Sequence, residues 1–291
     1  MAREKASNES PEKAPPPMDS EYWNESIRDY DEEVLDSLDA DRRGIILRRL
    51  ETYADRGRLA ADFGCGVGNY VSALASRFKY VYAIDFAARL LKTARQRCAE
   101  ANVQWMQGDL ATSSFRMRRA HFGLCQNVLI SPEPSKRRAI LENVRRHIVR
   151  GGHLMVLVPS TESAIYAGQM QVEWNRRKGL EGRALTRDLE APRSELELMD
   201  GLFGRDGVRT KHYLKEEAVK MLEGTGFEPL SVDKVEYDWR YELPGAPGWL
   251  RDPYPWDWLL VASKTARRVS SLARARRRAH RKGRRLGAAL K

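Results

Sequence analysis

The chain has 291 residues, of which 42% are hydrophobic and 9% aromatic, enough for one large or two small domains around a sizeable core. It holds no run of 18 apolar residues, and its first twenty residues lack an apolar stretch, so neither a membrane span nor a secretory signal is expected. The net charge of +11 is local: residues 264–291 carry twelve of the 51 Lys and Arg and no acid, which leaves 39 basic residues against 40 acidic ones elsewhere. The basic balance therefore describes a C-terminal tail and excludes a uniformly cationic, nucleic-acid-coating core.

Three cysteines, Cys65, Cys98 and Cys125, are too few and too scattered for a disulfide framework and lack metal-ligand spacing. They point to a reducing cytoplasm. Residues 1–20 are polar and proline-rich and read as disordered. Residues 21–57 read as two helical pieces, the second with Ile45, Ile46, Leu47 and Leu50 at helical spacing.

Strands and helices then alternate. RLAADF is an apolar strand that ends at a glycine turn. NYVSALASRF places Val71, Leu74, Ala75 and Phe78 on one helix face. YVYAID, VQWMQGD and HFGLCQNVLI are the second, third and fourth strands, with AARLLKTARQRCAEAN as a helix after the second. SKRRAILENVRRHIV is an amphipathic helix stopped by Gly151 and Gly152, and HLMVLVP is a fifth strand. Apolar strands separated by helices predict an α/β fold: a doubly wound, mostly parallel, seven-stranded sheet with helices on both faces. The last two strands are EPLSVDKVEYDW and DWLLVASK, preceded by the helix LKEEAVKMLEGTGF, which Gly224 or Gly226 caps. The domain runs over 58–263, with an inserted lid or loop at about 161–210. Residues 21–57 form an N-terminal helical lid, and 264–291 form the C-terminal basic tail.

In such a sheet the ligand sits beyond the carboxyl ends of the strands, where the strand order reverses. The turn ADFGCGVGNY lies at that edge. A dinucleotide fingerprint would need glycine where Asn69 stands. Asp62, just before the turn, would oppose a second anion and suit a ligand carrying positive charge.

ADFGCGVG resembles the D-x-G-x-G-x-G signature of class I S-adenosylmethionine-dependent methyltransferases. The resemblance implies that Asp62 faces the ligand's ammonium group and that Gly64, Cys65, Gly66 and Gly68 let the backbone approach its amino-acid and ribose end. VYAIDFAARLLKTA is similar to the second family motif, which implies that Asp85 accepts from both ribose hydroxyls, with Phe86 beside it. VQWMQGDLATSSF is similar to the third, placing Asp109 and Leu110 at the adenine. FGLCQNVLI is similar to the fourth strand of the family and puts Gln126 and Asn127 near the sulfonium. The N-terminal helices of the family fold over the donor, and Tyr30 would sit there. Two positions depart from the family: Arg150 stands where proline often precedes the double glycine, and His121-Phe122-Gly123 replace an acid before the fourth strand.

A sulfonium donor is already activated, so the protein's task is in-line geometry, and a general base is needed only if the acceptor loses a proton. His212, before a helix in RTKHYLKEE, is the candidate base, with a capping or solvated role as the alternative. His147 and His153 flank the fifth strand and read as structural. An Asn-Pro-Pro-aromatic motif, a Pro-Cys pair and a paired-glutamate loop are absent, which leaves a small molecule or a protein side chain as acceptor, the small molecule favoured. Trp174, Trp239, Trp249, Trp256, Trp258, Tyr237, Tyr241 and Tyr254 line a pocket or pack the core. The basic tail docks on nucleic-acid phosphates, rests on an anionic membrane surface, or stays a solvated extension. The rival readings are an RNA or DNA methyltransferase recruited by that tail, a donor-binding protein without turnover, and a nicotinamide-dependent oxidoreductase.

Overall fold

Alternation of apolar residues along each strand decides which face of the sheet a side chain enters. On β1 (Asp55–Phe63), Ala61 and Phe63 join one buried cluster while Ala60 joins the other. On β4 (Ala120–Gln126), Phe122 and Leu124 point to the second cluster and Cys125 to the first. On β5 (Ile148–Pro159), Leu154, Val156 and Val158 alternate with Met155 and Leu157 in the same way. Both faces are apolar, so both need helical cover. The computed structural model describes residues 19–25, 36–112, 115–187, 189, 191–204 and 208–265.

Two short helices, α1 (Ser20–Glu25) and α2 (Ser37–Ala40), precede α3 (Ile45–Thr52). The alternating part follows β1 with α4 (Val71–Ala75), β2 (Phe78–Asp85), α5 (Ala88–Arg97) and β3 (Val103–Gln107). After β4, α6 (Pro134–His147) leads into β5. The insertion holds α7 (Thr161–Arg177), α8 (Glu195–Met199) and a two-residue strand pair, β6 (Leu202–Phe203) and β7 (Thr210–Lys211). The chain closes with α9 (Lys215–Thr225), β8 (Phe227–Glu236), α10 (Trp239–Glu242) and β9 (Trp256–Lys264).

The main sheet has seven strands in the order β3-β2-β1-β4-β5-β9-β8. β1 to β5 are parallel, and β9 runs antiparallel to both of its neighbours. The predicted mostly parallel, doubly wound sheet is therefore present. Its order reverses between β1 and β4, which opens a crevice at their carboxyl ends. Ile140, Leu141 and Val144 of α6 with Ala218 and Leu222 of α9 cover one face. Ile46 and Leu50 of α3 with Leu74 and Ala75 of α4 cover the other.

Three local outcomes differ from or refine the sequence reading. α6 stops at His147, and the Gly151-Gly152 pair lies inside β5 instead of ending the helix. Glycine is required there because a Cβ on Gly152 would lie 2.9 Å from the His121 carbonyl of the adjacent strand. Gly226, with φ +85°, is the glycine that caps α9. Within 21–57, α1 lies on the crevice, whereas α3 packs on the sheet face and is clamped to β8 by a two-pronged Arg49–Asp233 contact at 2.7 and 2.6 Å. Leu124, 1% exposed at the centre of β4, tests this packing. Leu124→Ala is expected to lower the unfolding free energy by about 2–5 kcal/mol in urea titrations. A loss below about 1 kcal/mol would mean that the central layer is looser than described.

Candidate active site

The ligand edge is built by a turn that only glycine can follow. Gly64, Gly66 and Gly68 have φ values of +80°, +52° and +87°, in the left-handed region. Space also excludes side chains: a Cβ on Gly64 would run into Val128, and one on Gly68 would lie 3.1 Å from the Ala94 Cβ. The turn is tied to β2, because the N–H groups of Gly64 and Cys65 both donate to the Ile84 carbonyl, at 2.8 and 2.9 Å.

Asp85 completes that tie. Its Oδ2 accepts from the Gly66 N–H and its Oδ1 from the Ala87 N–H, each at 2.9 Å. The side chain is buried, which raises its pKa, while the N–H groups of Ala87, Gly66 and Phe86 pull the other way. Asp62 lies beneath the turn, 2% exposed, and its Oδ2 has no hydrogen-bond partner. Burial, with the Asp85 charge adding to it, pushes the Asp62 carboxyl up to about 8. Past the end of β3, Asp109 Oδ1 accepts from the Ala111 N–H at 2.7 Å.

A cavity of about 320 Å³ occupies this edge. Gly64, Cys65, Gly66, Asp85, Phe86, Asp109, Leu110, Gln126 and Asn127 all line it, so the fold brings nine of the expected residues to one place. Asp62 and Gly68 stand behind the lining. Tyr22 and Trp23 of α1 form one wall, and Tyr30 lies outside the described residues. Asn127, with φ +49°, is the one non-glycine residue with positive φ among the described residues, and its Oδ1 is buried without a partner. Lys136 from α6 and Val208 and Thr210 from the insertion also reach the cavity. Sequence reading missed these three because no local pattern marks a lysine in an amphipathic helix or a residue that arrives from 80 positions away.

The residues suit a nucleoside with a cationic arm. An unpartnered buried carboxylate, a second one at the rim and glycines that leave the backbone bare favour positive charge and hydroxyl donors. They do not suit a second phosphate. Among the described residues no cluster has metal-binding character.

His212 is placed elsewhere. It lines a second cavity, of about 430 Å³, between α7, the insertion and the start of β9. Burial pushes its imidazole down to about 4, the Ser160 carbonyl opposing and the Lys211 charge adding, so it is neutral at pH 7. The expected proton-abstracting role would therefore act in this second cavity and not beside the glycine turn. His147 stacks on Phe115 at 4.6 Å, and His153 lies 4.5 Å from Tyr53, so both are packing residues. Of the eight aromatic pocket candidates, Trp256 lines a cavity, the second one. Trp239 is buried beside Tyr166, and Trp249 stacks under Arg177 on the surface. Lys264 ends β9 and donates to the Arg145 and Ile148 carbonyls; residues 266–291, where the tail readings fall, lie outside the described residues. The three cysteines are free and buried, and no described helix is long and apolar enough to cross a membrane.

The chain is similar to known proteins over part of its sequence and in its fold. Residues 60–152 match the family described as methyltransferase domain. Over 95 residues the chain is 32% identical to malonyl-[acyl-carrier protein] O-methyltransferase 2 of Coxiella burnetii, which covers 32% of this chain and 38% of that protein. Over 52 residues it is 40% identical to an uncharacterized methyltransferase of Mycobacterium tuberculosis, covering 18% of this chain and 26% of the relative. The chain thus spans well under half the length of these curated relatives. Among solved structures, an S-adenosylmethionine-dependent methyltransferase of Methanosarcina mazei superposes with a TM-score of 0.54 at 17% identity, over 75% of this chain and 98% of that one. The N-methyltransferase NodS of Bradyrhizobium japonicum, in complex with S-adenosylhomocysteine, gives 0.54 at 14% identity over 84% and 98%.

The Asp62 carboxyl keeps its proton to about pH 8 in the fold, whereas an unfolded aspartate releases it near about 4. The unliganded fold therefore loses stability as pH rises from about 4 to about 8. Asp62→Asn should be more stable than the parent at pH 8 by about 1 kcal/mol or more, and nearly equal at pH 4, read from urea midpoints. An unchanged fall with pH in the variant would contradict the assignment.

Proposed function

The chain carries a class I S-adenosylmethionine-dependent methyltransferase domain, and from that premise we propose that it methylates a small-molecule acceptor at the β4–β5 side of the crevice. The observation that carries the reading is the meeting of Asp85, Asp109 and the glycine turn in one cavity above the buried Asp62.

In this reading Asp85 takes the ribose hydroxyls. A carboxylate offers about four lone-pair positions, so it can hold a diol while it keeps the Gly66 and Ala87 N–H groups. Asp109 and Leu110 take the adenine, and Phe86 packs beside it. Gln126 and Asn127 lie at the methyl-bearing end. Asp62 supplies a buried countercharge, which a cation over the turn would ionise by lowering its pKa. Tyr22 and Trp23 shield the site from water. Bound there, the sulfonium nucleoside supplies a methyl group that passes to the acceptor as the carbon–sulfur bond breaks and its electron pair returns to sulfur. The chain's contribution is alignment, exclusion of water and an acceptor pocket.

The small-molecule reading is supported by the second cavity next to the first and by the likeness in fold to magnesium protoporphyrin IX methyltransferase of Synechocystis, at a TM-score of 0.51 and 16% identity. Calorimetric titration should show binding of S-adenosylhomocysteine and none of NAD. Asp85→Ala, which removes charge-assisted hydrogen bonds, should weaken that binding by about tenfold or more. With methyl-labelled donor and fractionated cell extract, label should enter the metabolite fraction. Label confined to protein or nucleic acid would contradict the acceptor reading, and NAD binding would contradict the donor.

A further inference from the structure

The second cavity carries chemistry that the donor site leaves unused. Its walls are mainly apolar, from Ala164, Ala167 and Val172 on α7 and Leu189, Leu198 and Phe203 of the insertion. Asp257, at the start of β9, also lines it and is mostly buried. Asp257 Oδ2 accepts from the Tyr237 hydroxyl at 2.9 Å, and among the described residues it makes no ion pair. A carboxylate in an apolar wall without a cationic partner is costly, and a ligand cation would offset that cost.

The surrounding charges leave room for such a cation. His212 is neutral, as argued above. The Thr210 hydroxyl has one hydrogen to give, and the Phe203 carbonyl, 3.3 Å away, can only accept it. The His212 Nε2 lies 3.2 Å from the same Thr210 oxygen, which ties the neutral imidazole to the insertion. Lys211 is engaged by Glu217 at 2.6 Å and by the Asp200 carbonyl at 2.8 Å. Arg176 lines the mouth of the cavity, but its side chain is 61% exposed and lies 3.7 Å from Glu173. Glu242, also at the mouth, adds negative charge.

The two cavities share a partition. Pro159 lines the first and Ser160 the second; Thr210 lines the first and His212 the second. Asp257 is the register partner of Pro159 across the β5–β9 pair. A polar line runs beneath the partition as well. Gln126 Nε2, at the donor cavity, donates to the Ser37 hydroxyl at 3.2 Å, Ser37 lies beside the Tyr237 hydroxyl, and Tyr237 holds Asp257. A molecule seated in the second cavity is thus one strand away from the place proposed for the donor.

We propose that the second cavity holds the methyl acceptor, and that this acceptor is an apolar molecule bearing an amine, whose ammonium group is bound by Asp257 between the walls of α7 and the insertion. This deepens the methyl-transfer reading and rests on it. The exposed Ile165 and Leu198 line the same cavity and give an apolar approach to it. The cavity's size fits a compact arylalkyl or alkyl chain rather than a polymer.

The test uses the full chain with S-adenosylhomocysteine bound, titrated with 4-phenylbutylamine and with 4-phenylbutanol, its neutral counterpart. The amine should bind about tenfold or more tightly than the alcohol. Asp257→Asn should abolish that preference and leave S-adenosylhomocysteine affinity within about twofold, which also reports that the variant is folded. Ala164→Phe, which narrows the cavity from α7, should weaken both ligands together. Equal affinity for amine and alcohol in the parent, an undiminished preference in Asp257→Asn, or no binding of the amine would overturn the proposal. Failure of S-adenosylhomocysteine to bind the parent would overturn the donor reading instead, and the amine titration in its absence would still judge whether Asp257 is a cation site.

Discussion

One buried carboxylate organises the ligand edge of this protein. Asp85 ends β2, and its two oxygens accept from Gly66 in the preceding turn and Ala87 in the following one. Without those contacts a buried carboxylate would be costly, and a glycine-rich turn with three left-handed residues would have little to fix its path. The parallel sheet sets the distance: β1 and β2 are in register from Leu59 to Phe63, which brings the turn after Phe63 onto the end of β2. The crevice, the bare backbone of the turn and the rim acid are consequences of the same register.

The electrostatics of the edge make sense only with a partner of positive charge. Asp62 and Asp85 are both buried and both raised, chiefly by burial, and the Asp85 charge raises Asp62 further. A packed core would remove such a pair, since an apolar replacement is often neutral or stabilising. Retaining two acids at the glycine turn with no compensating lysine or arginine in the lining beyond Lys136 is a cost that ligand binding can reverse. The second cavity repeats the theme, with Asp257 held by the Tyr237 hydroxyl but without an ion-pair partner among the described residues, and with an imidazole held neutral by burial in the same lining.

The first half of the fold was legible because its signals are local. Five apolar strands, a helix face in Val71, Leu74 and Ala75, and three acids at or near strand ends each sit within a window of about ten residues. Those acids could be placed together because parallel strands bring their carboxyl ends to one edge whatever the loops do. The second cavity was not legible. It draws on Ser160, Phe203, His212 and Asp257, which are up to nearly a hundred positions apart and meet through the β5–β9 pairing, the β6–β7 pair of the insertion and the bridge from Ser160 to Tyr213. His212 was readable as a base candidate from its place before a helix, whereas the burial that lowers its pKa and the cavity it lines are set by contacts that no sequence window contains. Asp257 looked like part of an aromatic strand, Trp256-Asp257-Trp258, with nothing to mark its exposure to a cavity. The break after His147 was missed because Gly151 and Gly152 read as helix stops, whereas Gly152 lacks a side chain to let β5 pass the His121 carbonyl and Gly151 takes a left-handed φ of +71°.

The central claim is that the Asp85 carboxylate holds a ribose while it holds the turn. A crystal structure of the protein with S-adenosylhomocysteine tests it most directly. Both ribose hydroxyls are expected within about 3 Å of Asp85, with the Gly66 and Ala87 contacts intact and the amino-acid arm over Asp62. A nucleoside bound elsewhere, or one whose ribose is turned away from Asp85, would contradict it.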